Sequence, residues 1–246
     1  MGYEVLRFDA LDSTNAEARR RGEAGETGPL WIAAREQTAG RGRRGRAWRT
    51  GAGDLAATLL ITTEKRAEAA QVSFVAALAV GDLVRAYAPP SLVAYKWPND
   101  VLLAGGKVSG ILIESGRAPT GGIWLAVGIG VNLVSQPTDV ERPAAAIAAH
   151  LRSDQIAPPT AADALERLSH SFANWFDQWE AEGFAPIRDA WLAAAPGMGK
   201  PCVARLDKET VQGVAEGLDV DGVLLLRLPD GGLRRIAAGD VFFAGG

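Results

Sequence analysis

The segment 67–88 constrains the fold most, because it has the pattern of one long, strongly apolar helix. Its apolar side chains recur at helical spacing, at Val72, Val75, Ala76, Leu78, Ala79 and Leu83. Pro89 and Pro90 follow directly, and proline removes the backbone donor that a continuing helix would need. The sequence therefore predicts a helix that faces the core and ends before the two prolines.

Short apolar runs on both sides of this helix predict the strands of a mixed sheet. They cover residues 30–35, 55–62, 92–96, 101–103, 107–114 and 123–133. Ala104, Gly105 and Gly106 separate two of these runs and are typical of a tight hairpin turn.

Three further helices are expected. Thr14-Asn15-Ala16-Glu17, preceded by Ser13, has the form of a capping box and predicts a helix over 14–22. A Thr-x-x-Asp cap opens a second helix over 160–181, and a third covers 185–194. The second helix carries an apolar stripe that we interpret as core packing, made of Leu165, Leu168, Phe172, Trp175 and Trp179.

The composition changes beyond Lys200, where short runs rich in Val and Leu alternate with Asp-, Pro- and Gly-containing turns. This punctuation is typical of a small antiparallel barrel. With a linker near 196–200, we expect an α+β chain with a larger domain over residues 1–197 and a small barrel over 198–246.

Composition excludes several classes of protein. Hydrophobic residues make up 48% of the chain and charged residues 22%, and the net charge is −3, which argues against a surface built wholly for nucleic acid. One cysteine, Cys202, excludes internal disulfides, and with only His150 and His170 no zinc-ligand spacing occurs. The start of the chain shows neither a signal peptide nor a membrane span, so we expect a cytoplasmic protein.

Five arginines crowd into residues 41–49, interleaved with Gly40, Gly42 and Gly45, between two predicted strands. Glycines allow backbone N–H groups to approach an anion, and guanidinium groups match carboxylate and phosphate oxygens. A solvated basic loop and a nucleic-acid arm are alternative interpretations. We favour a site for a polyphosphate ligand, because the segment is short and bounded by apolar strands.

Two further motifs decide between these alternatives. Lys96-Trp97-Pro98-Asn99-Asp100 precedes a hairpin strand that begins Gly106-Lys107-Val108-Ser109-Gly110-Ile111-Leu112. Together with the Gly-Arg-Gly-Arg-Arg-Gly loop at 40–45, they give the chain the motifs of the biotin protein ligases, which it resembles over nearly its whole length. Further matches are Ser13-Thr14-Asn15, Gln37, the segment 128–132 and the C-terminal barrel.

The resemblance implies a catalytic domain similar to class II aminoacyl-tRNA synthetases, followed by an SH3-like barrel. It implies a monofunctional ligase that uses ATP and Mg²⁺ to activate biotin as biotinyl-5'-AMP and transfers it to a lysine of a biotin carboxyl carrier protein or domain. The match starts at the ligase domain, so we expect no DNA partner and no membrane partner, and either a monomer or a homodimer. A lipoate-type ligase is the nearest alternative, and a non-catalytic nucleic-acid or regulatory module is a second one.

The resemblance also assigns site residues. Those expected around biotin are Ser13, Thr14, Asn15, Gln37, Gly40, Arg41, Lys107 and Gly110. Those expected around ATP are Arg43, Arg46, Trp48, Asn99, Lys107 and Asn132. The catalytic groups implied are Arg43, Lys107 and Asp100.

Some of these residues also have a plain structural interpretation. Ser13 or Thr14 could serve as a helix cap, and the cap and the ligand contact are compatible. Trp48 could pack in a core, although its sequence neighbours are arginines and glycines, so we expect it to face the nucleotide. Asp100 is the nearest candidate ligand for magnesium, and it could instead orient the acceptor lysine.

Overall fold

The structure is a computed structural model that describes residues 3–138 and 143–243 of the chain. Its helices are α1 (Thr14–Glu23), α2 (Val72–Tyr87), α3 (Ala161–Glu182) and α4 (Phe184–Leu192). The first seven strands are β1 (Glu4–Leu11), β2 (Leu30–Gln37), β3 (Leu55–Thr63), β4 (Val93–Lys96), β5 (Asp100–Leu103), β6 (Gly106–Arg117) and β7 (Ile123–Val131). The last five are β8 (Pro201–Arg205), β9 (Thr210–Leu218), β10 (Leu224–Arg227), β11 (Leu233–Ile236) and β12 (Asp240–Phe243).

The first seven strands form one sheet in the order β1-β2-β3-β7-β6-β5-β4. The expected mixed sheet is confirmed, and its strand order comes from the structure. Among these seven strands, β1 and β2 pair in parallel and the other neighbouring strands pair antiparallel. The hairpin turn between β5 and β6 was predicted correctly, and both Ala104 (φ 50) and Gly105 (φ 83) adopt the left-handed backbone that such turns use. Strand β1 was missed, because an edge strand with mostly half-buried or exposed side chains has no continuous apolar run.

Helices α2 and α3 cover one face of this sheet. Eleven residues of α2 are buried, which confirms it as a core helix, although its first turn is the separate 3-10 helix Ala69–Gln71. The segment Ala69–Tyr87 is long and apolar enough to cross a membrane by length and composition alone, and 72% of its most apolar window is buried inside the fold. The α3 stripe packs on it, and Trp175 is the one stripe residue that stays partly exposed.

Helix α1 covers only part of the opposite face. Ala18 packs there with Leu30, Ile32 and Leu60 in a smaller cluster. The expected capping box is wrong: Ser13 occupies the N-cap position without a side-chain capping bond, and Thr14 lies inside the first turn. The Thr160 cap of α3 is confirmed, since its side chain accepts from the N–H of Asp163. The part of the face that α1 leaves uncovered holds the site described below.

The five C-terminal strands form an antiparallel sheet in the order β11-β10-β9-β8-β12, which confirms the expected SH3-like unit. This unit shares a hydrophobic core with the larger one, and the buried Trp97 donates its Nε1–H to the carbonyl of Gly222 at 3.1 Å. Gly197 lies so close to the ring of Phe243 that a Cβ there would overlap it. The two units therefore pack directly on each other.

Candidate active site

A cavity of about 400 Å³ opens on the face of the sheet that α1 leaves uncovered. Nearly all of the residues expected at the site line it, and Gly40 is the exception: Ser13, Thr14, Asn15, Gln37, Arg41, Arg43, Arg46, Trp48, Asn99, Asp100, Lys107, Gly110 and Asn132. Gly40 lies behind the lining, where its carbonyl accepts from the N–H of Trp48 at 2.9 Å and a Cβ would overlap the Trp48 carbonyl. The tertiary fold thus brings together motifs that lie far apart in the sequence.

One end of the cavity is an array of hydroxyl and amide groups at the start of α1. The Oε1 of Gln37 accepts from the backbone N–H of Thr14 at 2.9 Å and lies 3.2 Å from its Oγ1. The Nε2 of Gln37 donates to Thr50 at 3.2 Å, and Thr58 Oγ1 lies 2.8 Å from Thr14 Oγ1. The Thr14 side chain therefore points into the cavity instead of capping its helix. Donors and acceptors are held in fixed directions here.

The Asn15 side chain is fixed by hydrogen bonds to three other residues of the protein. Its Nδ2 donates to Glu114 Oε2 at 2.8 Å and to the Leu112 carbonyl at 3.3 Å, while its Oδ1 accepts from Thr58 at 2.7 Å. Glu114 also accepts from Arg41 at 3.2 Å. Asn15 thus links the start of α1 to strands β3 and β6 at the wall of the cavity.

Lys107 and Asp100 face each other in the cavity. Lys107 Nζ lies 2.5 Å from Asp100 Oδ1, and Asp100 is 7% exposed. The buried Asn132 holds the strand beneath them, because its Nδ2 donates to the carbonyls of Lys107 at 3.3 Å and Ala145 at 3.0 Å. Asn132 was expected near the nucleotide. Its side-chain amide instead donates to backbone carbonyls, one of which belongs to Lys107.

Trp48 lies against the sheet at two glycines. A Cβ at Gly130 would overlap the indole ring, and one at Gly110 would lie 3.2 Å from Trp48 Cζ3 and 3.0 Å from Lys107 Nζ. Lys107 Nζ is 5.8 Å from the ring centroid, within the range of a cation–π contact. The absence of side chains at these glycines allows Trp48 and Lys107 to share one wall of the cavity.

Arg43 is directed into the cavity by Asn99. Its Nη1 donates to Asn99 Oδ1 at 3.2 Å, and Asn99 Nδ2 donates in turn to the Ile111 carbonyl at 2.5 Å. Burial lowers the pKa of the Arg43 guanidinium from its ordinary value, and nearby Asp240 and Asp100 act in the opposite sense. An arginine stays charged at neutral pH despite such a shift. The cavity therefore contains a partly desolvated permanent cation, a group suited to phosphate or carboxylate oxygens.

The arginine loop, residues 40–53, is held by contacts in its middle and directly after its last residue. Arg46 Nη2 donates to Asp240 Oδ1 of the barrel at 2.9 Å. Near the end of the loop, Asp54 Oδ1 accepts from the backbone N–H groups of Leu133, Val134 and Ser135 at 2.9, 2.9 and 3.1 Å. These contacts fasten the loop to the barrel and to the backbone that follows β7.

Sequence reasoning missed four polar residues that organise the site, namely Thr58, Glu114, Asp54 and Asp240. Each lies outside the motifs or at their edge. Thr58, a buried hydroxyl within the apolar β3 run, gave the clearest signal, because a buried hydroxyl needs a partner.

Within residues 3–138 and 143–243, no group of three or more His, Cys, Asp or Glu side chains is placed to hold a metal ion. Within the same ranges, Asp100 and Asp240 are the carboxylates that line the cavity. Each of them already pairs with a cationic side chain.

This fold and this cavity define the class of protein. The sequence model of the biotin/lipoate A/B protein ligase family matches residues 8–133, and that of the biotin protein ligase C terminal domain matches residues 197–244. The chain belongs to the biotin/lipoate A/B protein ligase family.

Curated relatives are similar along nearly the whole chain. A biotin–acetyl-CoA-carboxylase ligase of Paracoccus denitrificans is 46% identical over 237 residues, covering 95% of this chain and 98% of the relative. The bifunctional ligase/repressor BirA of Bacillus subtilis is 30% identical over 243 residues, covering 98% of this chain and 74% of the relative.

Solved structures agree on the fold. A biotin protein ligase from Aquifex aeolicus in complex with biotin and ATP superposes with a TM-score of 0.82 at 23% identity, covering 98% of each chain. A biotin protein ligase from Leishmania major in complex with biotinyl-5-AMP gives a TM-score of 0.67 at 23% identity, covering 97% of this chain and 100% of that one.

Proposed function

We propose that the chain is an ATP-dependent ligase that activates biotin as biotinyl-5'-AMP and transfers it to a lysine of a biotin carboxyl carrier protein or domain. The observation that carries this proposal is the meeting of two kinds of surface in one cavity. Thr14 and Gln37 provide directed hydroxyl and amide groups, which suit the ureido group of biotin. Arg43 and Lys107 provide cations, which suit its carboxylate and the phosphates of ATP.

In the first half-reaction, a biotin carboxylate oxygen attacks the α-phosphorus of ATP, the bond to the β-phosphate breaks, and pyrophosphate leaves. Two like unit charges 4 Å apart repel by about 4 kcal/mol at an effective dielectric constant near 20. Lys107 and Arg43, which line the same cavity, would offset this repulsion. Their effect is expected to be largest in the transition state, where charge builds on the leaving group.

In the second half-reaction, the amine of the acceptor lysine attacks the acyl carbon, an amide forms, AMP leaves and the amine loses its proton. Only about one lysine in a few thousand is neutral at pH 7, so the acceptor arrives as an ammonium ion. Asp100 can orient the acceptor lysine once Lys107 has turned to the phosphate. The Asp100 carboxylate would then bind the ammonium group of the acceptor in place of that of Lys107. In this scheme Asp100 positions the acceptor lysine.

Magnesium fits this site as a companion of ATP. The described residues offer isolated carboxylates in the cavity, Asp100 being the nearest candidate, so the phosphate oxygens would be its chief ligands. The ion would neutralise charge on the leaving pyrophosphate. A cytoplasmic location, a monomer or homodimer, the absence of DNA and membrane partners, and the division at residues 197/198 stay predictions.

The test is to incubate the full chain with labelled biotin, ATP and magnesium. We expect biotinyl-5'-AMP and pyrophosphate, and then labelled amide when a carrier domain is added. Lipoate in place of biotin tests the lipoate-type alternative, and a nucleic-acid binding assay tests the non-catalytic one. Formation of an adenylate from lipoate only, or of none, would refute the proposal. Calorimetric titration with biotin and ATP, each added first in a separate experiment, measures how strongly the binding of one ligand changes the affinity for the other.

A further inference from the structure

The last strand of the barrel begins at an aspartate that two arginines of the catalytic unit share. Asp240 Oδ1 accepts from Arg46 Nη2 at 2.9 Å, and Asp240 Oδ2 accepts from Arg44 Nη1 at 3.3 Å. The Asp240 side chain is only 16% exposed and lines the cavity beside Arg43. A residue of the C-terminal unit therefore forms part of the cavity wall.

The barrel also holds the arginine loop through neighbouring contacts. Arg44 pairs with Asp207 and donates to the carbonyl of Arg205 at 3.3 Å, and Arg43 donates to the carbonyl of Gly239 at 3.4 Å. Arg44 adopts a left-handed backbone (φ 55), which an arginine rarely adopts without compensating contacts. The barrel contacts of its side chain provide that compensation.

Asp240 reduces the repulsion between the positively charged arginines of the loop. Arg43, Arg44 and Arg46 repel one another whenever no anion lies between them, and a single exposed ion pair would do little to change this. Asp240 is different from an exposed partner, because it is mostly buried and uses both carboxylate oxygens on two different arginines. It supplies negative charge to both Arg44 and Arg46 before a phosphate binds, whereas Asp207, the other carboxylate paired with Arg44, is largely exposed.

We propose that Asp240 is a positioning residue. It holds the arginine loop over the part of the cavity lined by Arg43, Arg46 and Trp48 before ATP arrives, and it then releases Arg46 to the ATP phosphates. This inference rests on the proposed function for its second half only. The barrel would order the loop before ATP binds, so the binding free energy of ATP would not be reduced by the conformational entropy lost on ordering the loop. Removal of the carboxylate should consequently weaken the use of ATP and leave biotin binding unchanged.

The first experiment needs no ligand. Hydrogen exchange is measured on the ligand-free full chain for the N–H of Gly42, bonded to the Arg46 carbonyl at 2.7 Å, and of Trp48, bonded to the Gly40 carbonyl. In Asp240→Asn both amides should exchange at least about tenfold faster, the effect of losing roughly one charge-assisted hydrogen bond. Asp240→Glu should restore part of the protection. Unchanged exchange in Asp240→Asn would overturn the proposal.

The control is Glu209→Gln, which breaks the ion pair of Glu209 with Arg234 elsewhere in the same barrel. It should leave loop exchange at the wild-type rate, and thermal melting should show that every variant is folded. If Glu209→Gln speeds loop exchange as much as Asp240→Asn does, the effect reports general loosening of the barrel, and the assignment to Asp240 is wrong.

The second experiment measures adenylate formation. Asp240→Asn should raise KM for ATP at least about tenfold while kcat and the dissociation constant for biotin change less than about twofold. An unchanged or lowered KM for ATP, or an equal loss of biotin affinity, would contradict the positioning role. If the wild-type chain makes no biotinyl-adenylate, the proposed function fails, and the hydrogen-exchange result still decides whether Asp240 holds the loop.

Discussion

Lys107 Nζ and Asp100 Oδ1 lie 2.5 Å apart across the neighbouring strands β6 and β5. This ion pair joins the cation assigned to the first half-reaction with the carboxylate assigned to the second. In the proposed mechanism each group would act after leaving the other, so the two half-reactions should respond differently when one partner is removed.

Lys107→Ala should fail mainly at adenylate formation. The lysine would neutralise charge as the acyl–phosphate bond forms, so its loss should cost on the order of 2.7–4 kcal/mol, by analogy with the loss of one preorganised oxyanion donor, or about a hundred- to thousandfold in rate. The rate of biotinyl-adenylate synthesis under single-turnover conditions checks this. Transfer from premade biotinyl-adenylate should be much less impaired, and near-normal synthesis by the variant would refute the role.

Asp100→Asn should show the opposite pattern. The amide keeps the size of the side chain but cannot attract the ammonium of the acceptor lysine, so transfer from premade biotinyl-adenylate should fall at least about tenfold. Adenylate synthesis should fall less than transfer. The two rates are measured separately with a carrier domain as acceptor. A larger loss in adenylate synthesis would assign Asp100 to the first step, for example to magnesium.

Two glycines on β7 form a matched pair of probes. A Cβ at Gly128 would overlap Asn15 Oδ1, and a Cβ at Gly130 would overlap the Trp48 ring. Gly128→Ala should therefore weaken biotin binding, and Gly130→Ala should weaken ATP binding, each by at least about tenfold. Calorimetry with each ligand on both variants measures this. Equal losses for both ligands in both variants would mean that the two ends of the cavity are not separate.

Trp97 tests how firmly the barrel is attached. Its buried Nε1–H bonds to the Gly222 carbonyl at 3.1 Å, and Trp97→Phe leaves that carbonyl without this donor, which should cost about 1–3 kcal/mol of the free energy of unfolding. Urea unfolding of the full chain measures the loss. The control is Trp175→Phe, whose partner Asp82 is more exposed and can bind water instead. A loss no larger than that of the control would contradict the prediction.

The thiol of Cys202 should react slowly with alkylating reagents in the folded chain. Cys202 is 4% exposed, and burial raises the pKa of its thiol, so less reactive thiolate is present at pH 8 than in the unfolded chain. Alkylation should be at least about tenfold slower in native than in urea-unfolded protein, as followed by mass spectrometry. Because the folded pKa is raised, this thiol should also lower stability as pH rises above about 8.5. Equal alkylation rates would contradict the prediction.

Much of the fold could be predicted from local pattern. Helices α2 and α3 and strands β3 and β7 follow from runs whose spacing matches one type of structure over many residues. The start of α1 was harder to predict, because Thr14 and Glu17 have the spacing of a capping box, whereas Ser13 is the residue at the N-cap position. Gln37, which is 23 residues away from Thr14, takes the Thr14 N–H and hydroxyl and turns that side chain into the cavity.

By itself the sequence determined which chemical groups are present: an arginine loop between strands, a lysine on a hairpin strand, and glycines at spacings that admit close neighbours. Only the tertiary structure decided which groups meet. Asp240 reaches Arg46 across 194 residues, and Asn15 reaches Glu114 across 99. Periodicity and capping patterns report interactions within a few residues along the chain, whereas these pairs form because the sheet order and the docked barrel bring distant segments together.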